Sequence, residues 1–144
     1  MSGPSAPRIE GVDTEGMRAF LEGTAVRFAV LFGSHARESA DSGSDVDVAL
    51  EFPDGMSDEE RFRLRNRIDA ELQEYADEFV DVSDFDTLPV RVVHTALRDG
   101  VALVGDESEI ETYRATIDEQ YEATADQRKR ERQEFIDRLA RGDV

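Results

Sequence analysis

The sequence predicts a mixed α/β fold in which helices pack on one sheet, and three observations predict it. The 144 residues are the length of one domain with one core. Apolar runs of strand length and segments of helical spacing follow one another in the order α, β, β, α, β, α, β, α. The stretch 45–52 alternates strictly, as a strand with one buried face does.

The first third of the chain predicts a loose tail, a short helix and a buried strand. Residues 1–12 are rich in Ser, Pro and Gly, which favour irregular structure. Apolar residues then recur at helical spacing: Met17, Phe20 and Leu21. Residues 25–32 form an apolar run, which we expect to be a strand that ends at Gly33.

The middle of the chain predicts a strand, a helix and another strand. On the alternating strand, one face carries Val46, Val48, Leu50 and Phe52, and the other carries Asp45, Asp47, Ala49 and Glu51. The next helix begins with a capping box from Ser57 to Glu60, and we expect it to end near Glu78. Residues 79–85 predict the third strand.

The last third predicts a helix between Pro89 and Gly100, a short strand at 101–104 and further helices from Ser108 onward. The Arg-rich segment near residue 130 is interleaved with acidic residues and predicts a solvated helix face. We therefore expect a flexible tail at 1–12, a domain at 13–105 and a C-terminal helical extension at 106–144.

The composition excludes several classes of function. The chain has 34 acidic and 17 basic residues and a net charge of −17, so it repels polyanions and we expect no direct nucleic-acid binding. It has no Cys for a thiolate nucleophile or a zinc site. With no apolar run near 20 residues and no signal peptide, we expect a cytoplasmic protein without a membrane partner. The acidity together with a periodic apolar pattern indicates a halophile's protein, stable in concentrated salt.

Two aspartates on the alternating strand are the main indication of chemistry. Asp45 and Asp47 project from one strand face, with Cα atoms about 6.6 Å apart. Two anions that close repel each other unless a cation lies between them, and carboxylate oxygens suit Mg²⁺. A two-metal site of this kind serves phosphoryl or nucleotidyl transfer.

Other residues complete the candidate site, and each has a simpler interpretation. Gly33 and Ser34 end a strand before a predicted helical turn, where they can cradle a phosphate, although a Gly-Ser pair is commonly just a turn. A lone Asp-x-Asp is commonly a solvated edge. Asp81 lies inside an apolar strand and supplies a third carboxylate, with Asp84 and Asp86 as alternatives. The combination of these features in one chain favours the functional interpretation.

The motifs "GSHAR" and "SDVDVAL", followed by Asp81, resemble the nucleotidyltransferase superfamily of the DNA polymerase beta type, over residues 16–104. Within that superfamily, the chain resembles in particular the smallest members, the minimal nucleotidyltransferases. The resemblance implies that the nucleotide is held by Gly33, Ser34, Arg37 and Ser44. It implies that two Mg²⁺ ions are carried by Asp45, Asp47 and Asp81, and that Asp81 helps to take the acceptor's proton. The chain departs from the family pattern at Glu38, where a glycine is usual.

Among small proteins, the same resemblance implies an antitoxin that transfers AMP from ATP to a tyrosine of a HEPN-domain RNase toxin. Two alternatives stay open: a nucleotidyltransferase that modifies a small-molecule hydroxyl, and an antitoxin that only binds its toxin. For other residues near these motifs we expect structural roles. His35 is predicted on a helix surface, His94 on a helix without a chemical role, and Tyr113 and Tyr121 in packing.

Overall fold

A computed structural model describes residues 9–36 and 44–142 and shows the predicted mixed α/β fold. The helices and strands are α1 (Thr14–Glu22), β1 (Phe28–Phe32), β2 (Val46–Glu51), α2 (Asp58–Leu72), β3 (Val80–Asp84), α3 (Val90–Asp99), β4 (Val101–Gly105), α4 (Glu107–Ala123) and α5 (Ala125–Arg141). Short 3-10 turns lie on either side of β3, at Gln73–Tyr75 and Phe85–Thr87. Within the described ranges, no helix has the length and apolar character needed to cross a membrane.

The four strands form one mixed sheet in the order β3-β2-β1-β4. β1 runs antiparallel to both β2 and β4, whereas β2 and β3 are parallel and are joined through α2. This topology places the end of β1 and the starts of β2 and β3 at the same end of the sheet. Phe32 pairs with Asp47, and Asp47 pairs with Asp81.

Helices cover both faces of the sheet, so the core has two layers. On one face, α1 and α2 pack against the buried residues of the alternating strand, which are Val46, Val48, Leu50 and Phe52. On the other face, α3 and α4 pack against residues that include Phe28, Val30 and Ala49. The predicted division of β2 into two faces is confirmed.

Element ends differ from the predictions in two places. The capping box at Ser57 and Glu60 is present, but α2 ends at Leu72 and not near Glu78. Beyond it, the side-chain amide of Gln73 donates to the carbonyl of Val80 at 2.8 Å and accepts from the amide of Val80 at 2.9 Å. This tertiary contact turns the chain earlier than helical spacing indicates. The first strand begins at Phe28, three residues later than expected.

The two C-terminal helices have different surroundings. α4 contributes Ile110 and Ile117 to the core beside α3, and the ring of Tyr113 lies 5.3 Å from that of Phe28. In α5, by contrast, all residues from 129 onward are exposed. Phe135, Ile136 and Leu139 form an apolar stripe there, about half exposed. The division of the chain at residue 105 stays a prediction. α4, which follows that boundary, packs in the same core cluster as α3.

One ring stack links these helices. The ring of His94 on α3 stacks on that of Tyr121 on α4, with centroids 3.9 Å apart. The guanidinium of Arg128, in the first turn of α5, lies 4.0 Å from the centroid of the same tyrosine ring. Tyr121 thus has the packing role that was expected, and it contacts both α3 and α5.

Candidate active site

The strand register brings three aspartates to one end and one face of the sheet. Asp47 and Asp81 are Cα partners in the parallel pairing, and register partners project from the same face. Asp45 directly precedes β2 and lies two residues before Asp47, so it shares this face. The intervening Val46 and the neighbouring Val80 are buried on the opposite face, while Asp45 and Asp81 are exposed and Asp47 is half-buried. Asp45 and Asp81 are therefore open to solvent on the face to which Asp47 also projects.

Gly33 brings the turn after β1 against this group. Its φ of +81° lies in the left-handed region that favours glycine. A Cβ atom at this position would overlap the Oδ2 of Asp47. The backbone of the turn and the carboxylate of Asp47 are thus closer than any other residue at position 33 would allow.

His35 connects the same turn to the first aspartate. It is buried, with an exposed fraction of 7%, and its Nδ1 lies 3.0 Å from the carbonyl oxygen of Asp45. The expectation of a helix-surface residue is therefore wrong, because the turn folds back onto the strand that carries Asp45. Residues 34–36 form a turn and not a helix. The hydrogen bond holds Gly33 and Asp45 in a fixed relation.

The predicted nucleotide-binding residues lie at this end of the sheet as far as they are described. Ser34 follows Gly33, and Ser44 precedes Asp45; both are half-buried. Arg37 lies outside the described residues, as does the second half of the helical turn predicted at 34–39. The phosphate-binding role of this group stays a prediction.

The donor chemistry at this face fits a divalent cation. Carboxylate oxygens are the preferred ligands of Mg²⁺. The ion pairs among residues 9–36 and 44–142 do not include the side chains of Asp45 or Asp81. In the same part of the chain, no three Asp, Glu or His side chains are already arranged closely enough to hold a metal. The three aspartates therefore fit a divalent cation in the type of their ligand atoms and in the sheet face that they share.

The two alternative third carboxylates are engaged elsewhere. Arg61 of α2 donates to the Oδ2 of Asp84 at 3.2 Å and to the Oδ2 of Asp86 at 2.9 Å. Asp84 is the register partner of Leu50, so it projects towards the face that α1 and α2 cover. Asp81 is thus the carboxylate of this segment that faces Asp47.

Sequence reasoning missed one exposed side chain beside the aspartates. Phe79 directly precedes β3 and is 56% exposed. Its carbonyl accepts a hydrogen bond from the amide of Val46 at 2.8 Å, which places Phe79 beside Asp45. The alternation of "FVDV" was the available signal, since it puts residues 79 and 81 on one face.

Comparison with known proteins gives a family and a fold. The family "Polymerase beta, Nucleotidyltransferase" matches residues 16–109. Curated protein sequences give no match.

Solved structures of toxin–antitoxin complexes have the same fold as this chain. A chain of a toxin–antitoxin structure with AMP-PNP is 21% identical, with a TM-score of 0.65, over 90% of this chain and 99% of that one. A second similar chain belongs to a complex of a tri-AMPylated HEPN toxin with its MNT antitoxin from Shewanella oneidensis. That match has 19% identity and a TM-score of 0.57, over 88% and 98% of the two chains. A third, from the MntA–HepT pair, has 20% identity and a TM-score of 0.58, over 88% and 96%. With the family match over 16–109, the chain belongs to the polymerase beta nucleotidyltransferase family.

Proposed function

We propose that this protein is a magnesium-dependent adenylyltransferase antitoxin, which transfers AMP from ATP to a tyrosine of a HEPN-domain RNase toxin and thereby inactivates it. The observation that carries the proposal is the register of Asp47 with Asp81, next to Asp45 and bordered by Gly33. Carboxylates on one open sheet face, next to a glycine turn that comes close to Asp47, favour a role in phosphate transfer over a role in stability.

In the proposed reaction, the nucleotide and the acceptor bind on opposite sides of the aspartates. Gly33 and Ser34, at the end of β1, receive the triphosphate, and Asp81, on β3, faces the acceptor. Magnesium would be held by Asp45, Asp47 and Asp81, where it supplies charge neutralisation and activation of the acceptor hydroxyl.

The proposed transfer of AMP uses one hydroxyl group of the acceptor. The tyrosine oxygen attacks the α-phosphorus in line, and its proton passes to the carboxylate of Asp81. The bond from the α-phosphorus to the bridging oxygen breaks, and pyrophosphate leaves. The chain's own contribution is positioning and charge, as is general for this class of transfer.

Two observations support a protein acceptor and a toxin partner. The similar structures include a HEPN toxin that carries AMP groups in complex with its antitoxin. The helix α5 presents the apolar stripe of Phe135, Ile136 and Leu139. It also carries six basic and four acidic residues in a chain of net charge −17. It is therefore a surface that another protein can approach with little repulsion.

A labelled-ATP assay tests the proposal. The protein is incubated with α-labelled ATP, Mg²⁺ and either a HEPN-domain protein encoded by a neighbouring gene or a panel of small hydroxyl compounds. We expect label on the HEPN protein, and none when EDTA removes the metal. Label on a small molecule alone would support the second enzymatic alternative, and inhibition of the toxin without label would support simple binding.

The matched variants are Asp45→Asn with Asp47→Asn, and Asp54→Asn. The double variant should lose transfer and keep or raise its melting temperature, because two crowded like charges disappear. Asp54 is exposed in the turn after the opposite end of β2, so its variant should transfer normally. Loss of folding in the double variant would show that the pair is structural.

A further inference from the structure

Phe79 is an exposed aromatic ring on the same sheet face as the candidate carboxylates. Asp81 follows it by two residues, and both are exposed, while Val80 between them is fully buried. Leaving a phenylalanine ring in water forgoes the free energy of burial, so an exposed ring beside a polar site is a candidate contact surface.

Phe79 lies on the side of the aspartates that faces away from the proposed phosphate site. The turn at Gly33 follows β1, the aspartates Asp45 and Asp47 lie at β2, and Phe79 and Asp81 lie at β3. Since β2 separates β1 from β3 in the sheet, Phe79 lies across the carboxylates from the proposed phosphate site. This is the side from which an acceptor hydroxyl must approach Asp81.

There is space for an acceptor on this side. A cleft with a volume of about 540 Å³ lies between the edge of β3 and the first half of α2, and its lining includes Asp81, Ser83, Phe62 and Arg65. Phe79 lies just beyond this lining, two residues before Asp81. In the part of the chain that the structure describes, β3 is an edge strand, and one of its sides pairs with no other strand. An acceptor chain can therefore lie next to Asp81 without displacing any part of the sheet.

The edge of β3 is closed to a full additional strand. The backbone N–H and C=O of Val80 are both bonded by the side chain of Gln73. At the other end, the hydroxyl of Thr87 donates to the carbonyl of Asp84 at 2.8 Å. Between these two positions, Val82 is the one residue whose backbone groups also point to the outer edge. A single residue is too short to pair with an added strand. An acceptor at this edge must be held mainly by side-chain contacts.

We infer that Phe79 determines acceptor specificity, and that its ring packs against the ring of the acceptor tyrosine while the tyrosine hydroxyl meets Asp81. The inference rests on the proposed function and names the group that recognises its substrate. Aromatic pairs are favourable at centroid distances of about 4.5–7 Å. Residues two apart on a strand lie about 6.6 Å apart, which leaves a ring on Phe79 and a hydroxyl at Asp81 within reach of one tyrosine side chain.

Steady-state kinetics with the HEPN toxin as acceptor test this role. Phe79→Ala should raise the KM for the toxin by about tenfold, the equivalent of one aromatic contact, and leave the KM for ATP unchanged. Phe79→Tyr keeps the aromatic ring and should restore the KM for the toxin. Since Phe79 is exposed, we expect all variants to fold, and melting temperatures check this.

The matched control is Phe20→Ala. Phe20 is half-buried on α1, which packs on the opposite face of the sheet, and it does not line the cleft. This variant should keep the wild-type KM for the toxin, and its melting temperature is measured beside its kinetics. An unchanged KM for the toxin in Phe79→Ala would overturn the inference, as would an equal rise of that KM in Phe20→Ala. A raised KM for ATP would assign the ring to the nucleotide and overturn it too. If wild type modifies no tyrosine at all, the proposed function itself fails.

Discussion

Glu51 is a buried carboxylate that makes the stability of this protein depend on pH. It ends β2 on the face that also carries Asp47, and its exposed fraction is 6%. Within the described residues, its Oε2 has no hydrogen-bond partner. Burial, aided by the negative charges of Asp86 and Asp84, raises the pKa of Glu51 from 4.5 to about 7. The folded state therefore favours the protonated form.

The sign and the size of the effect follow from this shift. Between the pKa of 4.5 in the unfolded chain and about 7 in the folded state, the folded state binds more protons. Its stability therefore falls as the pH rises through this window. The shift corresponds to about 3 kcal/mol, at about 1.4 kcal/mol per pKa unit. The contribution is fully present below the unfolded value and lost above the folded one.

The perturbation is Glu51→Gln, which keeps the shape of the side chain and removes its titration. Urea unfolding at a series of pH values should show the variant gaining about 3 kcal/mol relative to wild type between about pH 4 and about pH 8. Glu119→Gln, which removes one exposed carboxylate of α4, controls for the change in net charge. Parallel pH profiles for Glu51→Gln and wild type would refute the reasoning.

Three further predictions concern the site, the surface and the interface. Gly33→Ala should abolish AMP transfer, because its Cβ displaces the carboxylate of Asp47, and should lower the free energy of unfolding by about 1–2 kcal/mol for the left-handed backbone; normal transfer would show that the close approach is dispensable. The melting temperature should rise from low to molar KCl, since salt screens the repulsion within a chain of net charge −17, and a flat or falling curve would remove the halophile interpretation. Replacing Phe135, Ile136 and Leu139 with Ser should weaken the complex with the toxin in a titration while leaving folding intact, and unchanged affinity would place the interface elsewhere.

Local patterns were sufficient to predict the elements and the faces of the strands. Strict alternation over 45–52 put Asp45 and Asp47 on one face, and the structure has them there. The capping box at Ser57 was likewise readable, because it is a contact between residues three apart. Such features depend on neighbours in the sequence, so the sequence alone carries them.

Features that depend on tertiary pairing could not be predicted from the sequence. The pairing of Asp47 with Asp81 is set by the crossover through α2, and alternation cannot give a register between strands. His35 is buried because its turn folds onto the strand that follows a long connection. The early end of α2 depends on Gln73 meeting Val80, seven residues on. Each case required knowledge of which segments become neighbours.

Intact-mass spectrometry of the toxin tests the central claim most directly. A HEPN-domain toxin, sought among the products of the neighbouring genes, is incubated with the protein, ATP and Mg²⁺, and its mass and RNase activity are measured on the same sample. The account predicts one or more adenylate additions to the toxin and loss of RNase activity, with no addition when Asp45 and Asp47 are both replaced by Asn. An unmodified toxin that is nevertheless inhibited by the wild-type protein would contradict it.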